Sequence, residues 1–435
     1  MHRITGVIRD YDWGDQEAIA AILGHEAPGH PEAEYWLGAH PSAPSTVQGS
    51  GCTLDVMIDR SAATVMGAAT ADRFGQLPFL LKILAAAKPL SIQAHPSLVQ
   101  ARVGFAREDA AGIDRAAPNR NYRDDNHKPE LICAVTPFEA KCGFRALAET
   151  LQLLGLFSGS SIDHLIGHLS TADQKDGEHG DTAVRIGATG QPDADAAVLS
   201  DAVRWLLELP ADEAGDFAAA VVAQAAQLLE RGQGESGADP PPFRRELEWV
   251  VRTGAAFPGD IGVVVALLLN HVSLAPGQAM FLEAGNLHSY LSGTGIELMA
   301  NSDNVLRGGL TPKHVDVEEL LAVVDYRPGA APVQTPDGPI HRYRSPVPEF
   351  SLTRLGGAGD TPGGESFGVG VFGPDGPSVV LVTAGLARLE SGSDTLELAK
   401  GDAVFVAAAD GPFRLTDVAP GETLAWVATV GDTDR

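Results

Sequence analysis

Over roughly the first 140 residues, apolar positions come in short runs broken by turn signals, with little sustained helical period. Residues 77–84 (Leu-Pro-Phe-Leu-Leu-Lys-Ile-Leu) and 90–95 predict strands, the second alternating at period two. Residues 130–135, closed by Thr136-Pro137, predict a third. From Phe144 the period lengthens. Residues 146–154, 194–209 and 213–231 repeat apolar positions at three-to-four spacing and are rich in Ala, Leu and Glu, which predicts amphipathic helices. Loop-like stretches at 174–192 and 232–242 punctuate them. After Asp260, a candidate N-cap for a short helix reaching Asn270, strand character returns around the Pro276-Gly277 turn and leads to His288 and Glu297. A Pro/Gly-rich connector covers 326–348. The tail then shows short runs such as 378–382 and 403–406 between glycine turns, a spacing typical of a β-sandwich or jelly roll. The pattern therefore predicts a mainly β protein with a helical insert. Its expected units are a first β domain (1–143 and 259–328), the insert (144–258) and a C-terminal β domain (329–435).

Composition narrows the function classes. The chain has 435 residues, 44% of them hydrophobic, and 57 acidic against 31 basic residues give a net charge of −26. Such a surface repels phosphate backbones and anionic lipid, so neither nucleic acid nor membrane is an expected partner. The longest apolar run, 263–269, is far shorter than the roughly 20 residues of a membrane helix. Asp10 and Asp12 precede any apolar stretch, so no signal peptide is expected. Three scattered cysteines make neither a disulfide framework nor a thiolate metal site. A reducing, cytoplasmic location is the expectation. Lysine is scarce, with seven in all, yet Lys82, Lys88, Lys128, Lys141 and Lys313 all sit beside unusual motifs. That clustering points to an anionic ligand.

Three segments carry candidate chemistry. In a strand, Ser91, Gln93 and His95 project together, and a hydroxyl, an amide and an imidazole on one face each need a partner. Asn126-His127-Lys128-Pro129-Glu130 leads into an apolar strand, with Lys128 and Glu130 on one face; a carboxylate there can ligate a metal and the ammonium can act in proton transfer. A plain surface Lys–Glu pair is the alternative. Around His288 and Glu297, and on through Asn301 to Lys313, Asn, Asp, Ser, Arg and Gly crowd between apolar strands as they do in ligand-binding loops. His288 with Gln93, His95 and Glu130 makes a mixed nitrogen and oxygen donor set that suits zinc.

These segments, together with Tyr11-Asp12-Trp13-Gly14, Glu34-Tyr35-Trp36-Leu37-Gly38-Ala39-His40-Pro41 and Cys142-Gly143-Phe144-Arg145, resemble the type I mannose-6-phosphate isomerase family, a group of zinc-dependent cupins. The matches run in the family's order from residue 11 to 313, whereas the tail is similar only in general cupin style. The resemblance implies cupin-type jelly-roll domains and one zinc held by Gln93, His95, Glu130 and His288. It further implies an aldose–ketose isomerisation of mannose 6-phosphate and fructose 6-phosphate through an enediolate, by a monomer. Arg307 would face the enediolate, because its fork reaches two oxygens. Glu297, Lys128 and a zinc-bound water stay open as the base. Ser91, Lys82 and Lys313 would hold the phosphate, with Lys88 and Trp13 at the rim and Cys142 a buried small hydrophobe. An iron-dependent dioxygenase would show a close His-x-His pair where this chain has Gln-x-His. A sugar-phosphate sensor would lack the metal ligands or the arginine.

Overall fold

In the computed structural model, which describes residues 1–170, 192–231, 240–357, 366–373, 376–418 and 420–431, the apolar runs become strands Phe79–Ala86 and Glu130–Ala134, both buried along their whole length. Being covered on both sides, these strands need no polar alternation. The strand His288–Ala300 organises the first β unit. Along its 13 residues it pairs antiparallel with Phe79–Ala86, Gln93–Ala94, Glu130–Ala134 and Phe138–Phe144. It passes from one set of partners to the other at Gly293, where φ is +114° and an added Cβ would stand 2.5 Å from the Pro137 carbonyl. Only glycine fits that bend.

The segment 90–95 is shorter as a strand than its alternation predicts, being a two-residue strand, Gln93–Ala94. The rest of it stays tied to its neighbours: Leu90 N–H donates to the Tyr290 carbonyl, Ile92 N–H to that of Gly309, and Gly285 N–H to that of His95. Beyond Pro96 a helix forms although the apolar pattern there shows little helical period. Leu98–Ala110 is helical behind a Ser97/Gln100 capping box, and its buried side is only Ala101, Gly104 and Glu108, too sparse to give an apolar stripe.

The expected helices form at Leu147–Leu154, Pro192–Leu207 and Ala211–Arg231, joined by Ser160–Leu169 and Arg244–Ala256. Their apolar faces bury Leu153, Leu165, Val203, Phe217, Val221 and Leu247 against the run 263–269. Asp260 is not an N-cap in the expected sense, since the helix Gly262–Val265 begins after Ile261. Its carboxylate instead accepts from the backbone N–H groups of Gly262 and Thr311, tying this turn to the loop that carries Lys313. Of the expected loops, 174–191 and 232–239 lie outside the described residues.

A second β unit contains strands Ser351–Gly356, Ser378–Ala384, Ala403–Val406 and Leu424–Thr429, with a four-stranded sheet beside it. The ladder does not keep the opening strand within the β unit expected to hold 1–143. His2–Thr5 pairs with Ala403–Val406, and Thr46–Val47 pairs with His2–Thr5. The opening strand therefore completes the C-terminal sheet. Tyr35, Leu37, Phe79 and Leu81 of the first unit pack with Phe350, Leu352, Leu381 and Trp426 of the second in one shared core. Among the described residues no helix is long and apolar enough to cross a membrane.

Candidate active site

A cleft of about 1110 Å³ opens at the ends of the strands in the first β unit. Four side chains from three places in the chain meet here at its floor, Gln93 and Glu130 lining the cleft and His95 and His288 buried beside them. Glu130 and His288 are each the first residue of a strand, Gln93 lies directly across the ladder from His288, and His95 follows two residues on. His95, Glu130 and His288 are all at least 98% buried.

Their orientation is set by backbone carbonyls. Nδ1 of His95 lies 2.7 Å from the Asn304 carbonyl, and Nδ1 of His288 lies 3.0 Å from that of Asn286. A ring nitrogen facing a carbonyl must carry the proton, so both Nε2 atoms turn a lone pair inward. The donor spacing is that of a metal shell. His95 Nε2 is 3.5 Å from Glu130 Oε1, His288 Nε2 is 3.4 Å from Glu130 Oε2, and the Gln93 amide is 3.4 Å from His288 Nε2. Donors roughly 2.0–2.2 Å from a tetrahedral ion stand roughly 3.3–3.5 Å apart. His95 Nε2 and Glu130 Oε2 are buried without a hydrogen-bond partner, a costly arrangement unless a cation fills the gap. Burial, with the Lys128 charge adding to it, pushes the His95 imidazole well below its ordinary range, so it is neutral and free to ligate. Burial opposes ionisation of Glu130, but Lys128, 3.0 Å away, together with His95 and His288 holds the carboxyl well below its ordinary range and charged.

A second layer stands beside this floor. Lys82 donates to Glu297 at 2.9 Å and to Glu34 at 3.4 Å, and its ammonium lies 5.1 Å from the Trp36 ring centroid. Glu34 also accepts from Trp36 Nε1 at 2.9 Å. Burial raises the Glu297 carboxyl above its ordinary range against the pull of Lys82. The ladder explains the meeting, because Glu297 pairs with Lys82, and Lys82 pairs with Trp36.

At the mouth, Arg307, Lys313 and Arg123 line the cleft with Ser91, Lys88 and Trp13. Among the described residues none of those three cationic side chains has a hydrogen bond or ion pair. Burial and then Arg123 lower Arg307; burial, Arg307 and Arg123 lower Lys313. Three cations crowded together, with only Asp12 opposing at Lys313, give this mouth a positive field in an otherwise acidic chain. Arg307 sits directly across the ladder from Gln93, between the mouth and the floor.

The sequence model described as "Phosphomannose isomerase type I, catalytic domain" matches residues 1–147. The mannose-6-phosphate isomerase of Escherichia coli (strain K12) is 37% identical, covering 95% of this chain and 96% of that one. The chain belongs to the type I phosphomannose isomerase family. Mannose-6-phosphate isomerase 2 of Arabidopsis thaliana is 33% identical over 94% of this chain and 89% of its own. A crystal structure of mannose 6-phosphate isomerase bound with zinc and yttrium superposes with a TM-score of 0.79 at 33% identity, covering 99% of this chain and 100% of that one. The apo form from Salmonella typhimurium gives 0.79 at 32% identity, with 99% of each chain covered.

The cleft brings together the residues expected from the sequence. Gln93, His95, Glu130, His288, Lys128, Glu297, Arg307, Ser91, Lys313 and Trp13 all border the cleft or its floor. Lys82, expected at the phosphate, also lines the cleft, where it is 5% exposed and held between two carboxylates. Cys142 is 1% exposed and its thiol is pushed up to about 12 by burial, in keeping with an inert small hydrophobe. Sequence reading missed Glu34 and Arg123. Arg123 had one signal, the polar run 119–126 immediately before Asn126-His127-Lys128-Pro129-Glu130, and its backbone N–H is held at 2.7 Å by Asn304 Oδ1.

Proposed function

We propose that this chain is a zinc-dependent mannose-6-phosphate isomerase, interconverting D-mannose 6-phosphate and D-fructose 6-phosphate through an enediolate. The observation that carries this reading is the convergence of two inward Nε2 lone pairs and a buried carboxylate beneath three unpaired cations. His95, Glu130 and His288 would hold the zinc, with Gln93 turned to offer its amide oxygen as the fourth donor. When bound, the ion supplies positive charge opposite the sugar oxygens that become negative during reaction.

The chain's own residues do the rest. Lys313, Arg123 and Ser91 take the phosphate at the mouth, which sets how deep the sugar reaches. Arg307, anchored opposite Gln93, bridges from that mouth to the floor and forks onto the developing enediolate oxygens. Glu297 is the group we assign to moving the proton between C2 and C1, because burial raises its proton affinity above that of an ordinary carboxylate while Lys82 opposes the rise. Lys128 stands at the edge of the metal shell, placed to exchange protons with the sugar oxygens. Lys82 is reassigned from phosphate binding to holding Glu297 and Glu34. The tail takes no part in this chemistry beyond support: Glu349 accepts from His127 at 2.8 Å and steadies the Lys128 loop.

The test is direct. Purified protein should carry close to one zinc per chain and convert mannose 6-phosphate in an assay coupled to fructose 6-phosphate consumption. Chelation should remove both metal and turnover, and zinc should restore them. Full turnover by metal-free protein would refute the assignment.

A further inference from the structure

Beneath the insert helix Arg244–Ala256, strands Phe138–Phe144 and Leu269–Leu274 carry a second cluster of titratable groups that the isomerase reading does not use. Lys141 stands opposite His271 across the antiparallel ladder, so the two side chains leave the same face with Cβ atoms roughly 4.5–5.5 Å apart. Lys141 is 4% exposed, and among the described residues its amine makes no hydrogen bond or ion pair. His271 Nε2 lies 2.6 Å from Glu139 Oε2, which places the proton on Nε2 and leaves Nδ1 as an acceptor. That Nδ1 is buried without a partner. Arg145, 2% exposed, spends Nη2 on Glu246 at 3.2 Å and on the Leu269 carbonyl at 3.1 Å, and its buried Nη1 has no acceptor. Glu139 is further engaged by Arg245 at 3.1 Å and by Ser273 at 2.7 Å. The seam thus holds an amine with no acceptor, an acceptor with no donor and a guanidinium N–H with no anion.

We propose that Lys141 is a carbamylation site that captures dissolved carbon dioxide. The lone pair of the neutral amine forms the C–N bond to the carbon of CO2, and one C=O electron pair moves onto oxygen. The nitrogen loses a proton to His271 Nδ1 and from there to solvent, with no change in oxidation state. The product satisfies every orphaned group. Its N–H faces His271 Nδ1, and its carboxylate gives Arg145 Nη1 the anion it lacks. The charge environment favours the reactive form, since burial, followed by the Arg145 charge, lowers the Lys141 amine to about 7, against the weaker opposing pull of Glu246 and Glu139. A negative group here ties the sheet to the insert helix through Arg145 and Glu246. Because the Lys141 strand is laddered to His288–Ala300 through Ser289, the seam also abuts the strand that carries His288.

The experiment uses the intact protein equilibrated with 13C-bicarbonate at pH 8 against a matched chloride control. A carbamate carbonyl resonance should appear in the 13C spectrum. Trapping with triethyloxonium ion followed by peptide mapping should place the ethylated adduct on Lys141. Melting temperature should rise with bicarbonate in the wild type and not in K141Q, while H271N should weaken the adduct without removing the amine. Peptide mapping of the wild type needs no variant to fold. An adduct confined to the chain's α-amino group or to exposed lysines, or no adduct at all, overturns the proposal. An equal rise in melting temperature in wild type and K141Q overturns the stabilising role.

Discussion

Replacing Lys82 with Met separates the role we propose for this residue from the phosphate role that the family resemblance implies. Lys82 is 5% exposed, with its ammonium 2.9 Å from Glu297 and 3.4 Å from Glu34. Removing it leaves two carboxylates facing each other in a buried site, and breaking a buried ion pair on one side costs roughly 3–5 kcal/mol. Met roughly conserves the volume, so the loss is electrostatic and not a cavity. The sign for Glu297 follows. Burial already raises its carboxyl, and Lys82 is the first of the charges opposing that rise. Without Lys82 the carboxyl moves further up, so at a given pH less of the base is ionised. The acidic limb of kcat/KM should therefore shift to higher pH, with activity partly regained in alkaline buffer. Urea unfolding reads the stability loss. The double variant K82M/E297Q should recover part of that stability while staying inactive, because replacing both partners is far better tolerated than removing one. A K82M enzyme with native stability and an unmoved acidic limb, but a raised KM for mannose 6-phosphate, would refute the reasoning and return Lys82 to the phosphate.

Four further outcomes are expected. His288→Ala should lower bound zinc and abolish turnover; full zinc content with normal activity would remove His288 from the ligand set. Arg307→Ala should lower kcat about 10²–10³-fold with zinc retained, because the enediolate charge exists only along the reaction path; a change in KM alone would make it a phosphate clamp. Arg123→Ala and Lys313→Ala should each raise KM roughly tenfold or more with little change in kcat, the loss expected of a charge-assisted contact made equally in ground and transition states. Asp410→Ala should lower stability, because its carboxylate pairs with the Met1 ammonium at 2.9 Å and accepts from Ala407 N–H at 2.8 Å, yet leave kcat unchanged; a large fall in kcat with intact folding would show that the tail reaches the chemistry.

How far the sequence carried depends on whether a feature is local or assembled. The insert helices were legible because an apolar stripe repeats within a few residues, and 147–154, 192–207 and 211–231 all carry one. The helix Leu98–Ala110 was not, since most of its face meets solvent and its start is written in a single Ser97/Gln100 pair. The zinc donors were legible as residue types, and the Gln93/His95 spacing survives although only two residues there form a regular strand. Charge partnership is another matter. Lys82 lies in an apolar strand beside Lys88, and nothing near it predicts that Glu297, 215 residues away, arrives opposite it. The same holds for the opening strand, whose partner is Ala403–Val406 at the far end of the chain. Contacts of that range depend on the register of the long strand His288–Ala300. A one-residue slip there would turn Glu297 to the opposite face and dissolve the Lys82 pair, even with every local propensity unchanged. Register is fixed by the bend at Gly293 and by burial on both faces, so the second layer of the site is a property of the assembled sheet and not of any segment within it.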